Sequence, residues 1–189
     1  MQKISTHSNR KQHKIEMAKM QRVSFANFLN RFEEVELPIS IGTETHLDFS
    51  SQNNPLPVAM IDKFLIETGM MDTIDEFTEV VPLMKIPSTD DFYAVIVWKA
   101  GLMQYEYWLL TFDKMERLID KRNIAGTKVV DNLLLHAVVS ITEQWDIHVI
   151  QNGRAANDQN NYDPTKSLRY QFQLLEDGYI QEEEPDDLF

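Results

Sequence analysis

Cysteine is absent from all 189 residues. Disulfides, thiolate nucleophiles and Cys-ligated metals are thereby excluded, and the chain suits a reducing, cytoplasmic setting. Glycine is scarce at six residues, and none of the glycine-rich loops that cradle phosphates can be assembled from them. The Gly-x-Ser-x-Gly elbow and the His-Glu-x-x-His zinc motif are also missing. No apolar run approaches the ~20 residues of a membrane span, and the first thirty residues lack the apolar stretch of a signal peptide. With no repeat and no break in composition, residues 1–189 are expected to form a single domain. Nothing here implies a cofactor, and no catalytic residue is nominated.

Charge is unevenly spread. Residues 1–22 hold Lys3, Arg10, Lys11, Lys14, Lys19 and Arg22 against Glu16 alone, while the whole chain carries −12, so the remainder carries −17. Such a body repels nucleic acid and anionic membrane and is steered toward basic proteins. The basic N-terminal turns have no interleaved aromatics before Phe25, which argues against a nucleic-acid site.

What the chain does have is β-rich sequence. The stretch from Glu79 to Phe112 holds three such runs, Glu79–Ile86, Phe92–Lys99 and Met103–Phe112, dense in the aromatic and β-branched residues that suit a pleated surface. Pro82 cannot donate to a ladder, so the first run should be an edge strand or carry a bulge. A turn at Ala100-Gly101 pairs residues whose numbers sum to 201, so Trp98 faces Met103, Ile96 faces Tyr105 and Val95 faces Glu106. Trp98 and Tyr105 then look into the core, while Tyr93 and Trp108 look the other way. Asp113 suits the first position of a type I turn before a more polar strand, Arg117–Ile124. Leu133–Ile141 and Trp145–Ile150 follow, joined by Thr142-Glu143-Gln144 with Ile141 opposite Trp145. Residues 151–165 read as a mobile loop. Leu168, Tyr170, Phe172 and Leu174 alternate with polar residues as a half-buried strand, and Asp177-Gly178 is a turn signal.

Before the sheet, residues 1–9 read as a flexible basic arm and residues 10–67 as a helical region with a short extended segment, Glu36–Gly42. Phe25, Phe28, Leu29 and Phe32 make one helical stripe, and Pro57–Ile66 makes a second helix with Val58, Ile61 and Phe64 or Leu65 on one face. Residues 42–54 read as loop, and residues 181–189 as a frayed acidic tail. The expected fold is therefore α+β: two N-terminal helices packed on an antiparallel meander of about six to seven strands, spanning 79–180 and curled as a half-barrel.

Three groups are candidates for function. Tyr93, Lys99, Glu106 and Trp108 form a binding surface if the helices leave that sheet face open. The alternative is that the helices cover it. Glu106, set among apolar neighbours, is the one acid expected to have a raised pKa, with Lys99 or Lys121 as its neutralising partner, unless it is simply solvated. His136, Asp146 and His148 share a face and suit a metal in principle, the alternative being ordinary hydrogen-bonded histidines. His46 beside Asp48 sits in a loop that fixes no geometry. Two functions follow. One is a non-catalytic interaction module, such as an inhibitor, adaptor or immunity-type protein, with an acidic surface for a basic partner. The other is a small-ligand or enzymatic site in the concave face, lined by Tyr105, Glu106 and Tyr107. Either outer strand of the sheet is open to a homodimer.

Overall fold

A computed structural model describes residues 23–50, 53–72, 74–87, 89–155 and 167–183. The readings for the basic arm, for the helical region before Val23, for residues 156–165 and for 184–189 lie outside these, while residues 151–155, expected as loop, are strand. In chain order the elements are α1 (Phe25–Leu29), β1 (Glu33–Glu34), β2 (Ile39–Ile41), α2 (Thr45–Ser50), α3 (Val58–Ile61) and a π-helical turn (Asp62–Ile66). Then come β3 (Glu79–Ile86), β4 (Phe92–Gly101), β5 (Gln104–Asp113), β6 (Leu118–Val130), β7 (Leu133–Ile141), β8 (Asp146–Ala155), β9 (Leu168–Leu174) and β10 (Ile180–Glu183).

Among the described residues ten strands join one sheet, antiparallel apart from the β1–β3 pair, in the order β1-β3-β4-β5-β6-β7-β8-β9-β10, with β2 added on β7. The expected meander is thus present with more strands than the six or seven anticipated, and it does not close into a barrel. The helical part departs further: the described helices are short, and residues 42–54, expected as loop, contain α2. The foreseen acidic tail begins as strand, since β10 pairs residues 180–183 with β9.

Two cores lie on opposite sides of β3–β5. Ser24 accepts a hydrogen bond from the Asn27 amide (3.2 Å) and starts α1, which lays Phe25, Phe28 and then Phe32 on the sheet. Met60, Ile61, Phe64 and Leu65 join them over Val80, Val95, Val97, Leu110 and Phe112. Val58 is exposed, not part of that face as the helical spacing suggested, while Ile61, Phe64 and Leu65 are buried as read. The other core joins Ala94, Ile96, Trp98, Tyr107 and Leu109 to Val139, Ile141, Ile147, Val149, Phe172 and Ile180. The sheet therefore folds back on itself.

That fold-back comes from a parting of strands. β6 pairs β7 only over residues 126–130, and below that point β2 takes the vacated edge, with Ile39 opposite Ile141. β10 swings round to the freed half of β6, where the Ile180 amide donates to Asp120 Oδ2 at 2.9 Å. The expected bulge at Pro82 is present between Pro82 and Met84.

Register differs from expectation in two hairpins. Gly101 pairs Gln104, so the β4–β5 turn is Leu102-Met103, with Met103 at φ 61°, and Trp98 faces Tyr107. In β7–β8, Ile141 faces Ile147 and Trp145 takes φ 68° in the turn. Each shift moves partners by an even number, so the faces are preserved. Trp98 and Tyr105 do look the same way, 6.3 Å between ring centroids, while Trp108 lies against the helical core. The Asp113 turn forms as read: its Oδ1 accepts from the Met115 and Arg117 amides at 2.8 and 2.9 Å. Those bonds, that from Arg117 foremost, hold its carboxyl below the usual range. Gly178 supplies the positive φ of the β9–β10 turn.

Candidate functional site

The parting of β6 from β7 opens a cleft of about 520 Å³. Cross-strand pairing sets Lys99, Glu106, Gly126, Ala137 and Gln151 in one row over five strands. At the centre of that row the side chains are smallest. Gly126 has φ 145°, and any Cβ there would collide with the Tyr105 carbonyl oxygen, so the hollow depends on glycine. A bulge between Tyr107 and Trp108 sets Asn123 opposite Trp108 and leaves Ile124 unpaired, which aims Asn123 toward the same row.

One wall is polar. Glu106 Oε2 accepts from Trp108 Nε1 at 3.1 Å, and its Oε1 accepts from Asn123 Nδ2 at 3.0 Å. Lys99, directly opposite, stands 3.8 Å away. Of the two proposed neutralising partners it is thus Lys99 that pairs, whereas Lys121 bonds the Gly69 carbonyl. Glu106 sits in a network rather than among apolar groups alone. The facing wall carries Ala137, Val149, Tyr170 and Phe172. At the base Arg122 lies 4.7 Å from the Phe172 ring centre and 3.6 Å from Glu182. Arg122 Nε is buried and has no hydrogen-bond partner among the described residues.

The expected aromatic surface is not assembled. Tyr93 packs against Phe25 (5.6 Å) beneath α1, with Lys114 Nζ 3.9 Å over its ring. Trp108 is half-buried in the same helical core. The helices cover this face, the alternative the sequence left open. Of the foursome only Lys99, Glu106 and Trp108 are neighbours, at the mouth of the cleft. Tyr107, expected to line the concave site, is fully buried, and its hydroxyl bonds the His46 amide and Nδ1 at 3.1 and 3.2 Å. Burial pushes that phenol well above its ordinary pKa. His46 itself sits on α2 and stacks on Trp98, 4.8 Å between centroids and 4° from parallel.

The metal trio also comes apart. His136 pairs Asn152 and His148 pairs Ser140, which sets the histidines four residues apart along the strands, roughly 13 Å. His136 Nδ1 bonds Thr127 Oγ1 at 2.8 Å, and Asp146 closes the β7–β8 turn with Thr142. Among the described residues no group of three His, Asp or Glu could hold a metal.

Arg122, Asn123, Gly126, Gln151 and Glu182 were not singled out by sequence. The one signal was Lys121-Arg122-Asn123, three polar residues in a row inside a strand. A second hollow, about 780 Å³, lies between α1 and α3, but its wall ends at Val23, the first described residue. Among the described residues no helix is long and apolar enough to cross a membrane. No protein-family model matches the chain, and no curated protein or solved structure matches it.

Proposed function

We propose that this is a non-catalytic binding protein whose cleft between β6 and β7 holds a small ligand. One observation carries the reading: the parted strands enclose a hollow of about 520 Å³, lined on one side by a hydrogen-bonded polar network and on the other by apolar and aromatic side chains. That size and mixture are typical of small-molecule sites. The cysteine-free chain accords with a cytoplasmic setting. The test is a thermal-shift screen of small molecules against the wild type and Ala137→Phe, which fills the hollow. Compounds should raise the wild-type melting temperature and leave that of the variant unmoved. A screen in which both respond alike, or neither responds, removes the reading.

A second reading, docking to a basic protein, rests on a different feature. Residues 33–79 hold eleven acids against Lys63 alone, and every one of those acids is exposed. This acidic layer supports salt-sensitive association with a basic partner. Pull-downs at low and high salt test it, with Asp75, Glu76 and Glu79 changed to lysine as the control. Recovery of the same proteins by wild type and control would sink it. Homodimerisation through an outer strand of the sheet is read directly by sedimentation velocity over a concentration series.

A further inference from the structure

We infer that the ligand of the cleft is a small carboxylate with an apolar body, taken at its charged end by Arg122. The inference rests on the cleft being a ligand site and adds the chemical class.

Three observations converge. The first is charge. The chain carries −12, yet the cleft is lined by Lys121, Arg122 and Lys128 against Glu106 and Glu182. Glu106 is offset by Lys99 at 3.8 Å, just outside the lining, and the Lys121 ammonium is held by the Gly69 carbonyl, which leaves Arg122 and Lys128 against Glu182. A positive hollow in an acidic protein selects an anion locally, against the field of the whole molecule.

The second is the state of Arg122. Its Nη1 is 3.6 Å from Glu182, beyond hydrogen-bond length, and the Glu182 side chain is 56% exposed. Its Nε is shut away from water with no acceptor among the described residues. An orphaned buried donor is costly, and a guanidinium is built to offer two parallel N–H groups to a carboxylate. Arg122 turned into the adjoining hollow would bring Nε to an acceptor supplied by a ligand. Glu106 is not that acceptor: its oxygens are bonded by Trp108 and Asn123, and Arg122 Nε bonds neither of them.

The third is the wall beside Arg122. Val149, Tyr170 and Phe172 form an apolar surface that continues from the ring on which the guanidinium already lies. An inorganic anion has nothing to place there, whereas a carboxylate with a hydrocarbon body fills both regions.

The experiment is isothermal titration of the full chain with naphthalene-2-carboxylate, its neutral carboxamide and inorganic phosphate. The carboxylate is expected to bind, the carboxamide at least ten-fold more weakly, and phosphate not at all. Arg122→Gln should bring the carboxylate down to the level of the carboxamide, and Arg122→Lys should restore part of the difference. Unchanged circular dichroism and melting temperature establish that both variants are folded. Should Arg122→Gln fail to fold, a loss of carboxylate binding in Ala137→Phe, with carboxamide and phosphate compared on the wild type, decides the matter. Equal binding of carboxylate and carboxamide overturns the anion class while leaving a ligand cleft in place. Binding of phosphate as tight as the carboxylate overturns the apolar body. No binding of any probe at millimolar concentration overturns the inference, and if the small-molecule screen also fails, the cleft reading falls with it.

Discussion

The two halves of this sheet are built from similar residues and live in different surroundings. In β4, Ala94 and Ile96 face one core and Val95 and Val97 face the other, all fully buried. In β7 and β8, Val139 and Val149 are buried on the inner side, but Val138 and Ile150 on the outer side stay 38% and 42% exposed. The helical core reaches β5 and the first residue of β6, Leu118, and no further. A strand covered on both faces has no freedom to part from its neighbour, while one covered on a single face can bend away. The cleft opens where the cover stops.

The largest test of that contrast is Leu110→Ala in the doubly covered half. It should cost about 2–5 kcal/mol, read from urea unfolding. Native-state hydrogen exchange should show the same divide: amides of β4 and β5 exchanging only through global unfolding, and those at the 151–155 end of β8 through local opening. Equal protection across the sheet would erase the distinction. A smaller effect is expected at His136. Burial holds its imidazole below the ordinary 6.5, with Arg154 adding to the shift. The folded state then resists a proton that the unfolded chain accepts, so stability is unaffected well above pH 6.5 and falls as pH drops below it. Comparing unfolding at pH 7.5 and 5.5, His136→Gln should lose less stability than wild type. Ile150→Thr, on the open outer face, should change stability by no more than about 0.5 kcal/mol.

Much of the sheet was legible because alternation fixes faces even where register slips. Trp98, Tyr105 and Trp108 fell on their expected sides although the turn moved from Ala100-Gly101 to Leu102-Met103. That turn was illegible because neither leucine nor methionine advertises a positive φ, whereas Asp113 and Asp177-Gly178 carry their turns in their side chains and were read correctly. β1 and β2 were missed as sheet members because two- and three-residue strands have no period to detect. The cleft was hidden for another reason. Gly126, Ala137 and Gln151 are distant in sequence, and only the pairing of three strands makes them neighbours. Sequence did nominate Glu106 and Lys99, but it could not say that α1 would take Tyr93 away from them.

The pairing of Ile39 with Ile141 has a bearing on how the molecule comes into being. β2 is synthesised roughly a hundred residues before the strand it joins, so the emerging chain must hold two isoleucines without their partner until β7 leaves the ribosome. Contacts so far apart in sequence form slowly, and an intermediate with this seam unstitched would offer both a bare edge and sticky side chains to its surroundings. Newly made protein should therefore lean on chaperones during that interval, and a β2 made hydrophilic should be gentler in synthesis and poorer in its final form.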